Sequence, residues 1–153
     1  ETLAFIRSGF ALSDFDRAVT ELHKRGIKVI VHLILGLPGE TKEMMRASVS
    51  YAAALPVFGM KLQLLHILKG TDLHTYYESH PFDTFTLDDY CDFVTECVAL
   101  LPPDIVIHRL TGDGPKKLLA APLWSADKKR VLNQLQRTFR EKDIWQGKYY
   151  PQS

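Results

Sequence analysis

Apolar residues are concentrated in three runs that predict the strands of a parallel sheet. The runs are IKVIVHLIL (27–35), MKLQLLHIL (60–68) and DIVIHRL (104–110). The first run is almost entirely apolar, and such a run is typical of a strand buried on both faces, as in parallel sheets. We therefore expect the first strand to be covered on both sides.

Segments with helical spacing of apolar residues alternate with these runs. We expect one helix that begins at Ser13, a second over residues 41–55, a third that Thr86 caps and a fourth that Ser125 begins. The fourth helix is expected to turn four apolar side chains inward: Val131, Leu132, Leu135 and Phe139. Alternating strands and helices predict an α/β fold with a parallel sheet and right-handed crossovers.

The composition is that of an ordinary globular domain. The 153 residues are 46% hydrophobic and 24% charged, which is enough for one domain with a sizeable core. No apolar run reaches the roughly 18 residues that a membrane-spanning helix needs. We therefore expect a cytoplasmic protein with no membrane partner.

The charges are unevenly distributed, although the net charge is only +1. Residues 1–115 carry 10 Lys and Arg against 15 Asp and Glu, whereas residues 116–153 carry 9 against 3. A basic segment of this kind is a candidate surface for nucleic acid or an anionic substrate. It is also compatible with a solvated helix face, and both interpretations stay open.

The two cysteines predict no metal site. Cys91 and Cys97 lie six residues apart on a predicted helix and form no CxxC pair. We expect buried free thiols, which suit a reducing compartment.

The catalytic motifs GxSxG and HExxH are also absent from the sequence. His32, inside the first apolar run, is interpreted as a core residue.

A glycine-containing turn follows or overlaps the end of each strand: GLPGE (36–40), HILKGTD (66–72) and HRLTGDG (108–114). Ligands of parallel α/β folds bind at the carboxyl ends of the strands, so these turns predict one polar rim. His66, Lys69, His108 and Arg109 would line it, and such a rim suits an anionic or nucleotide-like ligand. Each histidine could instead brace its own turn through a hydrogen bond.

The GLPGE turn does not match a phosphate-binding loop. It lacks the lysine of a Walker motif and the spacing of a dinucleotide fingerprint, and Pro38 has no backbone N–H to donate. Gly36 would let a flat ligand approach the end of the strand. The alternative is a plain strand-to-helix turn with Glu40 near the helix N-terminus.

Three segments resemble one enzyme family. GIKVIVHLILGLPGET resembles the fifth strand and turn of radical S-adenosylmethionine (SAM) enzymes, MKLQLLHILKGTDL their sixth strand, and PPDIVIHRLTGDGPKKLLAAPLW the segment beyond it. Together they resemble Fe–S oxidoreductases of the YhcC/YtqA type, which are relatives of the elongator catalytic subunit. The resemblance implies the C-terminal half of a partial (β/α)6 TIM-like barrel over residues 1–101, followed by a C-terminal α/β extension over residues 102–153.

The same resemblance implies a cofactor chemistry for the parent protein. Such an enzyme binds a [4Fe–4S] cluster and SAM, and reductively cleaves SAM to a 5′-deoxyadenosyl radical that acts on a substrate, here unknown. The cluster-binding cysteines are absent from this sequence. We therefore expect a fragment that is inactive alone and binds no cluster or SAM by itself, with no catalytic or metal-binding residue of its own.

Residue roles carried over by the resemblance concern SAM and the substrate. Ile34 would pack on the adenine of SAM, with Gly36 allowing its approach. The backbone at His66, Ile67 and Leu68 would bond the adenine edge. The substrate rim would be formed by three residues: Lys69, His108 and Arg109.

Two other functions stay open. The basic C-terminal segment could make the protein an RNA- or tRNA-binding or tRNA-modifying module. Alternatively, the chain could be a non-catalytic α/β interaction domain. In either case, the exposed strand edges of half a barrel predict self-association.

Overall fold

A computed structural model describes residues 5–150. Its α-helices are α1 (Leu12–Lys24), α2 (Lys42–Ala53), α3 (Asp72–Ser79), α4 (Leu87–Leu100) and α5 (Lys128–Glu141). Its strands are β1 (Ile30–Leu35), β2 (Gly59–Leu64), β3 (Ile67–Leu68), β4 (Val106–Arg109) and β5 (Leu119–Ala121). Two short 3-10 helices, Lys116–Leu118 and Leu123–Ala126, flank β5.

The main sheet has three parallel strands in the order β1–β2–β4. Ile30 is the partner of Gly59 and Leu35 the partner of Leu64, so β1 and β2 pair along their whole length. Val106 pairs with Gly59 on the other side of β2. The predicted α/β fold with a parallel sheet is therefore confirmed, with α2 connecting β1 to β2.

The hydrophobic core lies on one face of this sheet. Alternate side chains of β1 and β2 are buried there against α2 and α4. Each fully buried aliphatic or aromatic side chain contributes roughly 1.5–3 kcal/mol to stability. The main buried side chains are Val31, Leu35, Met60, Leu62, Leu64, Val49, Tyr90, Phe93 and Val94.

The opposite face of the sheet, here called the open face, is exposed. Ile30 and Ile34 on β1 keep 39% and 42% of their surface accessible. The expectation that the first strand is buried on both faces is therefore wrong for the described part of the chain. The reason is that α2 and α4 pack on the same side of the sheet. The open face consists of Ile30, His32, Ile34, Gly59, Lys61, Gln63, Val106, His108 and Arg109.

Two of the four expected helix starts are shifted. Helix α1 begins at Leu12, not at Ser13, because the Asp14 carboxylate accepts a 3.1 Å hydrogen bond from the Ala11 N–H. Helix α5 is capped by Asp127, whose carboxylate accepts from the Arg130 N–H at 3.0 Å. Ser125 lies instead in the preceding 3-10 helix.

The apolar stripe of α5 differs from the expected one in a single residue. Val131 and Leu135 are buried against α4, and Phe139 packs on the same core. Leu132 is 48% exposed, because it lies one residue beyond Val131 and so about 100° further around the helix. The predicted cap of α4 is confirmed, since the Thr86 hydroxyl accepts from the Asp89 N–H at 3.1 Å.

A second, two-stranded sheet forms at the carboxyl end of β2. The chain breaks after Leu64, and β3 then pairs antiparallel with β5, with Ile67 opposite Ala121. The run 60–68 is therefore two strands and not one. A small separate core with Leu65, Ile67 and Ala121 holds this sheet together.

Within residues 5–150, no helix combines the length and apolar character required to cross a bilayer.

Candidate ligand site at the open face of the sheet

The GLPGE turn is shaped by two glycines in left-handed conformations. Gly36 has φ +92° and Gly39 has φ +78°, and side chains are rarely tolerated in that region. A Cβ on Gly36 would also lie 3.2 Å from Cδ2 of Phe85. The Thr41 hydroxyl then accepts from the Met44 N–H at 3.2 Å and begins α2. Gly36 is therefore required by the turn and by the close approach of Phe85.

Ile34 lies at the carboxyl end of β1 with its side chain on the open face. It is 42% exposed, and its partner across β2 is Gln63. The neighbouring Leu35 points to the opposite side and is buried in the core. An exposed branched apolar side chain beside a polar amide is a surface on which a flat heteroaromatic ring can rest.

The backbone at Ile67 and Leu68 is already engaged in the fold. Both residues pair with β5. The Leu68 carbonyl accepts from the Thr71 hydroxyl at 2.7 Å and from the Thr71 N–H at 3.3 Å. The Lys69 N–H donates to the Leu118 carbonyl at 2.7 Å, and the Lys69 side chain is exposed. An adenine edge could bond to the Leu68 carbonyl only by displacing one of these partners.

His66 is held by the loop that follows β4. Its Nδ1 accepts a 3.1 Å hydrogen bond from the Gly114 N–H, so we assign the ring hydrogen to Nε2. Nε2 is buried and has no hydrogen-bond partner among the described residues. It is so close to Gly112 that a Cβ there would lie only 1.9 Å away. The turn-bracing interpretation of His66 therefore corresponds to an observed hydrogen bond.

Burial lowers the pKa of His66 below its ordinary value. Nearby Lys128 lowers it further, while Asp113 acts in the opposite direction. Asp113 also pairs with Arg109 at 2.8 Å and with Lys128. The Lys128 hydrogen bond and the two positive charges lower the pKa of the Asp113 carboxyl. His66 and Arg109, both predicted site residues, thus meet in one network at this loop.

His108 lies far from His66. Its ring covers Gly59, where a Cβ would be 2.6 Å from Cδ2 of His108, and it lies 6.3 Å from the Phe58 ring. Gly59 begins β2, whereas His66 follows the end of β2, so the two histidines are separated by about 16 Å of strand. The structure therefore does not bring all the predicted rim residues to one edge.

An irregularity in β4 explains where His108 and Arg109 point. Met60 pairs with Ile107 but Lys61 pairs with Arg109, so His108 is an extra residue between the two pairs. A bulge of this kind turns two consecutive side chains toward one face. Both His108 and Arg109 consequently lie on the open face.

The sequence analysis missed two residues of the open face. His32 is exposed there and is not a core residue, and Lys61 is its partner on β2. Burial, Lys61 and Arg109 together lower the pKa of His32. The signal that could have found them is the alternation of Lys61 and Gln63 with apolar residues in β2, which indicates one polar face.

The described residues do not fit an iron–sulfur cluster. No group of three His, Cys, Asp or Glu side chains in residues 5–150 is arranged to hold a metal ion. Cys91 and Cys97 are free and buried in α4, as expected. Burial raises the pKa of the Cys91 thiol to about 11 and that of Cys97 to about 12. Cluster ligands are thiolates, and these two side chains are held as thiols.

Comparison with known protein families identifies the chain. The sequence profile of the Radical_SAM C-terminal domain matches residues 57–141, which is more than half of the chain. The chain therefore belongs to the Radical_SAM C-terminal domain family, and its relatives place it with the YhcC/YtqA type. The family resemblance drawn from the sequence is confirmed.

Individual relatives agree with this assignment. The chain is 36% identical over 149 residues to the protein YtqA of Bacillus subtilis, covering 97% of this chain and 46% of that protein. It is 30% identical over 144 residues to YhcC of Escherichia coli K12, covering 94% and 47%. The chain thus spans about half the length of the curated relatives it matches. A tRNA uridine(34) acetyltransferase of Dehalococcoides mccartyi is 27% identical over 121 residues, covering 77% of this chain and 26% of that protein.

A solved structure shares the fold. The Elp3 protein of the archaeon Methanocaldococcus infernus matches with a TM-score of 0.80 at 18% identity, covering 94% of this chain and 34% of that one. This similarity concerns the fold alone. It confirms the predicted α/β architecture.

Proposed function

We propose that this chain forms the adenine-binding part of a radical SAM enzyme. The observation that carries the proposal is the exposed Ile34 side chain at the carboxyl end of β1, next to the left-handed turn at Gly36. Membership of the Radical_SAM C-terminal domain family supports it. When bound in the parent protein, SAM and a [4Fe–4S] cluster supply reductive SAM cleavage.

The residues of this chain would bind and orient the nucleoside. Ile34 would cover one face of the adenine and exclude water from it. The two-glycine turn holds the end of β1 in place through Phe85 and α2. His66 and the backbone of Ile67 and Leu68 would border the ring. The Leu68 carbonyl already accepts two hydrogen bonds from Thr71.

Ile34→Asp tests the adenine assignment. A charged side chain under an aromatic ring loses apolar contact and must be desolvated, so SAM affinity should fall by at least about tenfold. The measurement is calorimetric SAM binding to the parent protein with its cluster in place. Ile30→Asp is the matched control, because Ile30 lies on the same face of the same strand and is similarly exposed. Undiminished SAM binding by Ile34→Asp would contradict the proposal and favour a non-catalytic interaction domain.

A basic surface favours RNA as the substrate class, and the name of one relative, a tRNA uridine(34) acetyltransferase, points to tRNA. Helix α5 carries an exposed groove in which four cations outnumber one carboxylate; it is lined by Asp127, Lys129, Arg130, Asn133, Gln134, Arg137 and Arg140. These residues recur at helical spacing, so cations follow one side of α5 over about 15 Å. Such a stripe can contact successive phosphates of an RNA backbone. Lys128, by contrast, pairs with Asp113, so its charge is not available to a phosphate.

Charge reversal on α5 tests RNA binding. Arg130→Glu with Arg137→Glu should weaken tRNA binding and reduce the steepness of its salt dependence, because fewer counterions are released. Arg17→Glu on α1 is the matched control, since Arg17 is exposed and pairs with Asp14 within its own helix. Binding that the double variant leaves unchanged would identify the stripe as a solvated helix face.

A further inference from the structure

Three basic side chains form a row across the open face. His32 on β1 is the partner of Lys61 on β2, and Lys61 is the partner of Arg109 on β4. Partner residues of a sheet point to the same face, and neighbouring strands lie about 4.8 Å apart. The row is therefore a compact line of three nitrogen-bearing groups at one height of the sheet.

The positive charge of the row is only partly neutralised. The Lys61 side chain is partly buried and makes no ion pair or hydrogen bond with another described residue of 5–150. Arg109 uses one guanidinium nitrogen for Asp113, and Asp113 is shared with Lys128. The effect on His32 agrees, because Lys61 and Arg109 both disfavour its protonated form. Like charges placed in register destabilise each other unless an anion lies between them.

The row of basic side chains lies between two different surfaces of the open face. One step toward the carboxyl end lie Ile34 and Gln63, about 7 Å away along the strands. One step the other way lie Ile30 and Gly59, the latter covered by the His108 ring. The row thus separates an apolar surface suited to a flat ring from a histidine-covered floor.

We propose that the row of His32, Lys61 and Arg109 binds an anionic group, a carboxylate or a phosphate. Arg109 presents a planar fork with free donors, oriented by Asp113, and forks of this kind bind carboxylate and phosphate oxygens in pairs. Lys61 adds a point charge from the central strand, and His32 adds a donor from the other side. The site stands on this geometry, whereas assignment of the anion to SAM or to a substrate rests on the proposed function.

The NMR signal of the His32 ring reports directly whether an anion occupies the row. Inorganic phosphate is titrated into the isotope-labelled chain, and the pKa of His32 is followed by NMR. Bound phosphate offsets the repulsion from Lys61 and Arg109, so the pKa of His32 should rise on binding. Lys61→Gln should weaken phosphate binding by about tenfold or more, because it removes a charged donor.

Two further variants separate loss of the charge from loss of the fold. Lys61→Arg should restore binding, since it keeps a cation at the same strand position. Lys24→Gln should leave binding unchanged, because Lys24 is exposed on α1 and pairs with Glu21 there. A wild-type His32 pKa that phosphate does not move, or equal binding by Lys61→Gln, would overturn the anion site.

Competition distinguishes the source of the anion. It is run in a protein of the relatives' full length with its cluster in place, because this chain is not expected to bind SAM by itself. If SAM displaces phosphate while 5′-deoxyadenosine does not, the row holds the SAM carboxylate. If SAM and phosphate bind together, the row holds a substrate group, and both results support the site. The phosphate titration of His32 in the protein of full length also tests a third possible occupant of the row, carboxylates of the protein itself. If the pKa of His32 is already raised in that protein and does not respond to phosphate, the row pairs with protein carboxylates, and the proposal is wrong. Phosphate binding that persists while Ile34→Asp leaves SAM binding intact would instead refute only the proposed function.

Discussion

The backbone N–H of Gly114 donates a 3.1 Å hydrogen bond to Nδ1 of His66, and this bond ties the loop after β4 to the junction of β2 and β3. Asp113, between the two loop glycines, pairs with Arg109 at 2.8 Å. One loop therefore closes the carboxyl end of the sheet and orients a cation of the open face. Four predictions follow from the contacts at this loop and from the faces and edges around it.

Gly112→Ala should destabilise the fold through His66. An added Cβ would lie 1.9 Å from Nε2 of His66, so the ring or the loop must shift. Such overpacking costs about 1–3 kcal/mol in free energy of unfolding. Urea denaturation measures it. In a His66→Ala background the same change should cost close to nothing, because the clashing ring is gone. Equal costs in both backgrounds would show that His66 is not the cause.

Stability should fall as the solution is acidified through the pH range of His66. The folded pKa of His66 lies below its ordinary value near 6.5, so the unfolded chain binds the proton more readily. The free energy of unfolding therefore decreases as the pH drops from above 6.5 to the folded pKa, and levels off below it. His66→Asn keeps an acceptor for Gly114 but does not titrate, and should flatten part of this slope. Thermal unfolding at stepped pH measures the effect. The comparison is made in a His32→Gln background, because the pKa of His32 is lowered too.

The two cysteines should be inert in the native chain. Both thiols are buried with raised pKa values, and the reactive species is the thiolate. Alkylation by iodoacetamide at pH 8 should be far slower than for the urea-unfolded chain, as mass spectrometry can follow. Iron and sulfide reconstitution of the chain should likewise give no thiolate-to-iron absorbance above a Cys91→Ser, Cys97→Ser control. One cluster per chain would contradict this.

Strand β1 should mediate self-association. The Val29 and Leu35 carbonyls accept hydrogen bonds from the β2 side. By alternation, the backbone groups of Ile30, His32 and Ile34 face an edge that no described strand pairs. Ile30→Pro removes one outward donor at the first strand position, where proline is tolerated. Dimerisation measured by sedimentation should weaken by about tenfold, since a symmetric dimer loses two such bonds. Ile30→Val is the control, and a wild-type chain that stays monomeric at high concentration would refute the prediction.

Much of the fold could be predicted from local patterns. The apolar runs located β1 and, in the first part of the second run, β2, and Thr86 marked the start of α4. Caps and strand periods depend on neighbouring residues alone. The helix start at Ser13 was wrong because Asp14, the third residue of α1, binds the Ala11 N–H and so moves the cap to Ala11. The start at Ser125 was wrong because Asp127 caps α5 instead. The sequence alone does not show the backbone conformation at each candidate cap. It therefore does not decide which residue begins the helix.

The site was predicted less completely than the fold. Ile34 and Gly36 stand out from the turn and from the family resemblance, whereas His32 was taken for a core residue. The sequence of an apolar strand does not show whether helices cover one face of the sheet or both. In this structure, the helices α2 and α4 cover only one face of β1. The register of β1, β2 and β4 decides that His32, Lys61 and Arg109 form a row, and a single extra residue, His108, decides which way Arg109 points.

The sequence by itself determined the order of strands and helices, the two-glycine turn after β1 and the family to which the chain belongs. These features rest on short-range spacing and on motifs that local chemistry specifies. Only the tertiary structure decided that β3 leaves the main sheet to pair with β5, that the loop at Gly112 and Gly114 encloses His66, and that one face of the sheet carries a basic row whose charge is only partly neutralised. Such relationships join residues far apart in the chain, so they depend on register, bulges and packing that no local pattern encodes.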